Sequence, residues 1–243
     1  MRAPSALDLM EVWDRAAPEA PVARAIALAR LACAGHGVDG VEALPLGERE
    51  RSLLALRAAV FGPRLTGRVE CEACGAPLEL DVGVDEILAS VADAPSGGPM
   101  VEVDGYRITL RMLDSRDMLA AAAAPPSQAA QVLLQRCVVG AERDGAPAAV
   151  DGLPESVAVA AGEAIAAADP LADLSFDLAC VACGHVWRAP FDAAQFLWTE
   201  LDAWAGRTLR EVHTLAAAYG WSEHEILSMS AARRARYREL IET

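Results

Sequence analysis

Two short cysteine motifs constrain the fold of this chain more than any other feature of its sequence. The pattern Cys-x-x-Cys-Gly occurs at residues 71–75 and again at residues 180–184, each time between two short extended segments. Such a turn directs two thiolates at one metal ion, and its glycine can adopt the left-handed conformation that the turn requires. Two turns of this kind supply four sulfur ligands, a set that suits tetrahedral Zn²⁺. The sequence therefore predicts one structural zinc ion held by Cys71, Cys74, Cys180 and Cys183.

A site with four thiolate ligands has no coordination position left for water, so this zinc would stabilise the fold without taking part in catalysis. A redox-active cysteine pair, an iron centre and independent thiols are the alternatives. His185 directly follows the second motif. It could replace a cysteine ligand, or it could pack beside Trp187 on the same strand. Cys33 and Cys137 fall on predicted helix faces and are interpreted as small core residues.

The charged residues exclude several functional classes. All 21 cationic Lys+Arg positions among the 243 residues are arginine, and the chain contains no lysine. A P-loop nucleotide hydrolase, a Schiff-base enzyme and a protein kinase each require a lysine. The formal net charge of −14 opposes binding to nucleic acid or to an anionic membrane surface. Because the sequence also lacks the Gly-x-Ser-x-Gly and His-Glu-x-x-His motifs, we expect a protein that is not an enzyme.

The N-terminal segment favours a protein that is not exported through a membrane. Residues 1–13 are amphipathic and lack the apolar run and the cleavage site of a signal peptide. The longest apolar stretches are rich in alanine and too short to span a bilayer. We therefore expect a cytoplasmic location, no membrane contact and cysteines that stay free of disulfides.

Hydrophobic periodicity predicts an α+β fold with a mainly helical body. Hairpins are predicted around the two cysteine motifs, at residues 65–80 and 174–191, and at residues 100–112, where Asp104-Gly105 is a two-residue turn signal. Ser115 and Ser127 are the predicted N-caps of two helices. Loops are predicted at 36–45 and 143–152, and a linker at 94–99. Helices are predicted at 5–16, 21–33, 48–61, 84–91, 115–124, 127–139, 154–169 and 193–219, followed by two short helices capped by Ser222 and Ser230.

These elements divide the chain into four predicted regions. The first is an N-terminal helical region, and the second is a zinc-knuckle module assembled from two segments. The third contains a hairpin with its helices, and the fourth contains the long C-terminal helix and a docking tail. Their bounds are 1–63 for the first, 64–93 and 173–192 for the second, 94–172 for the third and 193–243 for the fourth.

The C-terminal tail carries more large apolar residues than two short helices can bury by themselves. It is predicted either to fold back on the body or to dock on another protein as a helix in a groove. A solvated helix face is the alternative for its arginines. We expect a chain truncated before Trp221 to keep a folded, zinc-loaded body. The candidate partner-binding residues are Trp221, Ile226, Leu227, Arg233, Arg234 and Tyr237.

Segments along nearly the whole chain resemble one known family, the baseplate and baseplate-hub assembly proteins of T-even-type contractile phage tails. The resemblance includes members encoded with extracellular contractile injection systems. The segment WSEHEIL (221–227), with the arginine-rich helix after it, also resembles the ends of tail-assembly chaperones. The segments that carry the family resemblance are LMEVWDR (9–15), LPLGER (44–49), FGPRL (61–65), CEACG (71–75), VEVDGY (101–106), CVACGHVW (180–187), FLWTELDAW (196–204) and EVHTLAAAYGW (211–221).

The resemblance implies a non-enzymatic structural or chaperone role in building a contractile particle, near its hub, spike or tube start. The partners it implies are other baseplate, hub, spike or tube proteins. The resemblance is also compatible with an oligomer of this chain within the assembly. It implies a protein made in the cytoplasm of the producing bacterium. Such a protein is either kept in the finished phage-tail-like particle or released after assembly.

Two other functions stay open on the residues alone. A zinc-ribbon protein that binds nucleic acid or assists transcription would use the arginine-rich last helix, although the net charge of −14 opposes it. A thiol oxidoreductase would use the cysteine motifs and would show a lowered thiol pKa in the metal-free protein.

Overall fold

The computed structural model describes residues 3–34, 40–91 and 97–241. The predicted loop at 36–45 and the predicted linker at 94–99 lie partly outside these residues.

The chain has the predicted α+β class, with small antiparallel sheets beside a helical body. Its helices are α1 (Ala6–Ala16), α2 (Pro21–Cys33), α3 (Leu46–Phe61), α4 (Val84–Ser90), α5 (Ser115–Ala123), α6 (Ala129–Cys137), α7 (Glu155–Ala168), α8 (Ala193–Tyr219), α9 (Glu223–Leu227) and α10 (Ala231–Ile241). Its strands are β1 (Arg64–Glu70), β2 (Pro77–Gly83), β3 (Met100–Val103), β4 (Tyr106–Leu110), β5 (Val138–Arg143), β6 (Ala146–Pro147), β7 (Ser175–Ala179) and β8 (Val186–Pro190).

The helical body consists of α1, α2 and α3 packed around the N-terminal half of α8. Leu28, Leu53 and Leu201 are almost completely buried in the core that these helices share. Helix α8 begins where the Asp192 carboxylate accepts the backbone N–H of Gln195 at 2.8 Å, a side-chain cap. It ends at Gly220, whose φ of 70° is left-handed. Residues from the two ends of the chain thus form one core.

A second core joins the tail to the body. Ile226 and Leu227 of α9 are buried against Met10 of α1 and Leu215 of α8. Ser222 caps α9 as predicted, and its hydroxyl forms a capping box with the carboxylate of Glu225. Of the two alternatives for the tail, the structure shows the fold that packs back on the body.

The predicted hairpin at residues 100–112 is half of a larger sheet. The strand order is β3-β4-β5-β6, all antiparallel, with Asp104-Gly105 and Asp144-Gly145 at two of the turns. Both aspartates have a φ of 51°, which fits two-residue turns of this kind. The helix predicted to end near 139 therefore ends at Cys137, and the loop predicted at 143–152 contains the end of β5 and the short strand β6. The β-branched residues Val138 and Val139 leave the helix and begin β5, in which Val138 pairs with Leu110 and Gly140 pairs with Thr109 of β4.

Two predicted caps are also corrected. The cap of α5 is Asp114, whose carboxylate accepts the backbone N–H of Arg116 and of Asp117. Ser115 is instead the first residue of the helix and is fully buried, and its hydroxyl accepts a hydrogen bond from Arg49 at 3.1 Å. Ser127 lies inside a 3₁₀ turn (Pro126–Gln128) that precedes α6. A carboxylate outcompetes the neighbouring hydroxyl at α5 because it accepts two N–H groups at once.

Among the described residues, none of the helices combines the length and the apolar character that crossing a membrane requires.

Candidate metal centre

The two cysteine turns have the same backbone structure. In the first, the N–H of Cys71 donates to the carbonyl of Ala76 at 2.9 Å, and the N–H of Gly75 donates to the carbonyl of Cys71 at 2.8 Å. In the second, Cys180 donates to His185 and Gly184 donates to Cys180, both at 2.8 Å. The two turns thus share one hydrogen-bonding pattern.

Both glycines of these turns adopt the left-handed backbone that the sequence predicts. Gly75 has a φ of 71° and Gly184 has a φ of 76°. A side chain at either position would be strained in this conformation, which explains why each motif ends in glycine. The first turn closes the hairpin of β1 and β2, and the second closes the hairpin of β7 and β8.

The structure brings all four predicted cysteines together. Their Sγ atoms lie within 4.8 Å of one another. The closest contacts join the two hairpins: Cys71 Sγ lies 3.7 Å from Cys183 Sγ, and Cys74 Sγ lies 3.7 Å from Cys180 Sγ. Disulfide sulfurs are only about 2.05 Å apart, so these are separate thiols. Each sulfur pair therefore links segments that are more than a hundred residues apart in sequence, 112 and 106 residues respectively.

These distances fit a tetrahedral metal ion. Zinc–sulfur bonds of about 2.3 Å place tetrahedral ligands roughly 3.8 Å apart, close to the shortest separations in this cluster. The four sulfurs alone complete such a coordination shell, and a shell of this kind leaves no position for water or substrate. The arrangement can therefore hold a metal ion and fix two hairpins together. A redox-active pair requires only two thiols, so four thiols around one point favour a metal site over a redox pair.

The cluster is half buried. Cys71 and Cys180, the first cysteine of each motif, are 2% and 3% exposed, whereas Cys74 and Cys183 face solvent. The backbone N–H groups of Cys183 and Ala182 donate to the sulfur of Cys180 and lower the pKa of its thiol to about 7. Donors of this kind stabilise the thiolate form that metal binding requires. At Cys74 and at Cys183 a backbone hydrogen bond also lowers the thiol pKa, but hydrogen bonds with neighbouring thiols and burial outweigh it and raise the pKa, so neither motif becomes a reactive thiolate pair.

His185 packs beside the cluster and is not one of the four grouped residues. Its ring stacks on Trp187, with 5.6 Å between the ring centroids and 14° between the planes. Trp187 is buried with Leu178 in the small core between the two hairpins. The packing interpretation of His185 is therefore confirmed.

The remaining cysteines lie elsewhere in the described part of the chain. Cys137 is fully buried under the four-stranded sheet, and burial raises the pKa of its thiol to about 11. Cys33 is partly buried against the helical core. Both positions fit the prediction of small core residues, and the raised pKa of Cys137 opposes a nucleophilic role.

The metal centre lies at the turn ends of the two hairpins, and the opposite ends of these hairpins join the helical body. Strand β1 follows α3 directly through Gly62, and β8 leads into α8 through Phe191. Phe176, Phe191 and Phe196 pack between the second hairpin and the core beneath it. A metal ion shared by the two turns would therefore fix the hairpins to each other at the ends remote from α3 and α8.

The candidate partner-binding residues divide into two groups. Ile226 and Leu227 are 0% and 3% exposed, and Arg234 is 4% exposed. Arg234 donates to the Glu211 carboxylate at 2.9 Å and to the Met229 carbonyl at 2.8 Å. These three side chains stabilise the chain itself, so their assignment as surface contacts is corrected.

The aromatic members of the tail remain near the surface. Trp221 stacks on Tyr219 at 4.5 Å, and Tyr237 meets Trp221 edge-on at 4.8 Å. Arg233 is exposed and lies over the Tyr237 ring at 5.7 Å. Truncation before Trp221 would remove Trp221 and Tyr237 and uncover Met10 and Leu215, so the structure opposes the expectation that the truncated body stays intact.

Sequence reasoning missed an apolar groove of about 760 Å³ beside α6 and α7. Helix α7 carries apolar residues on two faces. One face packs Val157 and Ala161 into the core, and the other presents Val159 and Gly162 to the groove. A helix that is apolar nearly all round is the signal that could have revealed this second face.

In comparisons with known proteins, no family model matches the chain, and neither a curated protein nor a solved structure is significantly similar to it.

Proposed function

We propose that this protein is a non-enzymatic structural or assembly component of a phage-tail-like contractile injection particle, acting at its baseplate or hub. The support is the resemblance of segments between residues 9 and 221 to baseplate and baseplate-hub assembly proteins. Its partners would be neighbouring baseplate, hub, spike or tube proteins. It would meet them in the cytoplasm of the producing bacterium, either as a chaperone or as a part that stays in the particle.

The observation that carries the non-catalytic part of this proposal is the convergence of Cys71, Cys74, Cys180 and Cys183. We propose that they hold one Zn²⁺ ion, because four thiolates in tetrahedral geometry suit zinc. When bound, the ion would supply cross-linking between distant segments. The residues around it pack or orient the sulfurs, with Trp187 filling the space between the hairpins.

A genetic experiment in the producing bacterium tests the assembly role. Deletion of the gene should abolish contractile particles in electron micrographs of purified lysates, and expression of the wild-type chain should restore them. The double variant Cys71→Ser/Cys180→Ser should fail to restore particles, whereas Cys33→Ser, outside the metal centre, should succeed. Normal particles from the deletion strain would contradict the proposed role.

The nucleic-acid alternative has less support. Arg234, one of the arginines on which it depends, is buried against Glu211, and the chain carries a net charge of −14. Retention of duplex DNA in a gel-shift assay at low salt, lost as salt is added, would favour it. We expect no retention under these conditions.

A further inference from the structure

The groove beside α6 and α7 is apolar and has an acidic edge. It contacts α6 through Leu133 and Leu134 and α7 through Val159 and Ile165. Among the described residues that line it, the only charged side chains are Asp173, which is exposed at the rim, and Asp169, which is buried and accepts the backbone N–H of Gly47 at 2.8 Å. A groove of this composition favours an occupant with apolar side chains and positive charge.

Part of this groove is openly exposed in the single chain. Val159 is 53% exposed, and Leu133, Leu134 and Ile165 are only partly buried. An apolar surface that is continuous over two helices is a common feature of protein–protein contact sites. At about 760 Å³ the groove is large enough to receive several side chains of leucine size.

The last helix of the same chain has the complementary chemistry. Arg233, Arg236 and Leu240 are exposed and follow one another at i, i+3 and i+7, so they share one face of α10. Leu240 is 62% exposed and Ile241 is 38% exposed. The opposite face is fixed to α8 through Arg234 and Glu211, so α10 presents its basic and apolar face on a rigid support.

We propose that α10 of one copy docks in the groove of a second copy. Leu240 and Ile241 enter between α6 and α7, and the arginines of α10 face Asp173 at the rim. The contact buries an exposed apolar helix end and pairs the basic face of a strongly acidic protein with an acidic edge. It uses two different surfaces, so each copy keeps one free groove and one free helix, and association continues into a chain or closes into a ring. This self-association does not depend on the particle role proposed above.

Sedimentation velocity of the full, metal-loaded chain over a range of concentrations tests the proposal. We expect concentration-dependent association that weakens at high salt, since part of the attraction is between opposite charges. Leu240→Glu on the helix and Val159→Arg in the groove should each reduce the association constant roughly tenfold or more, because each places a like charge against its partner surface. Val186→Arg changes a comparably exposed valine, 68% exposed on β8, and should leave association unchanged.

Mixing the two defective variants distinguishes this contact from any symmetric one. Leu240→Glu keeps an intact groove and Val159→Arg keeps an intact helix, so their mixture should form a one-to-one complex that does not grow further. Circular dichroism should confirm that both variants stay folded. A chain that is monomeric at all concentrations, association unaffected by either substitution, or a mixture that stays monomeric would each overturn the proposal.

Discussion

The guanidinium of Arg57 binds both carboxylate oxygens of Glu200, which lies 143 residues later in the chain, at 2.8 and 2.7 Å. It also donates to the carbonyl of Gly62 at 2.6 Å and to the carbonyl of Arg64. Arg57 is 4% exposed. One buried side chain therefore ties α3, α8 and the first residue of β1 together and positions the first hairpin against the helical body.

Replacement of Arg57 by Met should lower the free energy of unfolding by about 3 kcal/mol, because it leaves Glu200 and two carbonyls without a donor. Urea denaturation followed by circular dichroism measures this loss. Arg68→Met is the control, since Arg68 is 74% exposed where it pairs with Glu79, and it should change stability by no more than about 0.5 kcal/mol. Equal losses of stability from the two substitutions would show that the buried pair of Arg57 and Glu200 does not hold α3, α8 and β1 together.

Asp117 is the centre of a second buried ionic network. Its side chain is fully buried and accepts hydrogen bonds from Arg111 and Arg136, each at 2.7 Å, and from the backbone N–H of Asp114 at 3.0 Å. Burial opposes ionisation of this carboxyl, but hydrogen bonds from Arg111, Asp114 and Arg136 outweigh it and lower its pKa from 3.8 to about 2. The network connects α5 to α6 and to the end of β4.

The lowered pKa of Asp117 makes part of the stability depend on pH. Because the folded pKa of about 2 lies below the ordinary value of 3.8, the ionised group stabilises the fold above about pH 4. That contribution is lost as the pH falls from about 4 towards 2. Asp117→Asn should lower the free energy of unfolding by about 3 kcal/mol at neutral pH. The difference in free energy of unfolding between wild type and variant, measured by urea denaturation, should become smaller at acid pH. A difference that stays constant would contradict this assignment.

The buried tail predicts that a single substitution in α9 weakens the whole fold. Ile226→Ala removes a fully buried side chain from the core shared with α1 and α8, and should cost about 3 kcal/mol. Leu240→Ala, at a residue that is 62% exposed, should cost less than about 0.5 kcal/mol in the monomer at high salt. Thermal unfolding of dilute protein compares them. A small effect of Ile226→Ala would mean that the tail does not pack on the body in solution.

Local signals explain how much of the fold could be predicted from the sequence. The bounds of α8 were predicted correctly, because Gly220 supplies a left-handed cap and the helical periodicity starts just after Phe191. The cysteine turns were recognisable since both carry the same residues at the same spacing. The convergence of the two turns could be predicted because a structural zinc ion requires four ligands and each turn supplies two. This prediction needed no information about the fold between the two turns.

Contacts between distant segments account for what was missed. Strand β5 pairs with β4, about thirty residues earlier, and Val138 after a helix fits a helical or an extended conformation equally well. The Asp144-Gly145 signal, identical to Asp104-Gly105, could have identified this second turn. The burial of Ile226 depends on Met10 at the other end of the chain, which no pattern within the tail reveals.

Native mass spectrometry of the full chain tests the central claim most directly. Protein produced with zinc available should carry one zinc ion per chain, Cys71→Ser/Cys180→Ser should carry none, and Cys33→Ser should carry one. Chelation should lower the melting temperature of the wild type and leave that of the double variant unchanged, because binding energy at such a site contributes to folding. A wild-type chain that is metal-free and equally stable, or a double variant that keeps its zinc, would contradict the claim that these four sulfurs hold the fold together.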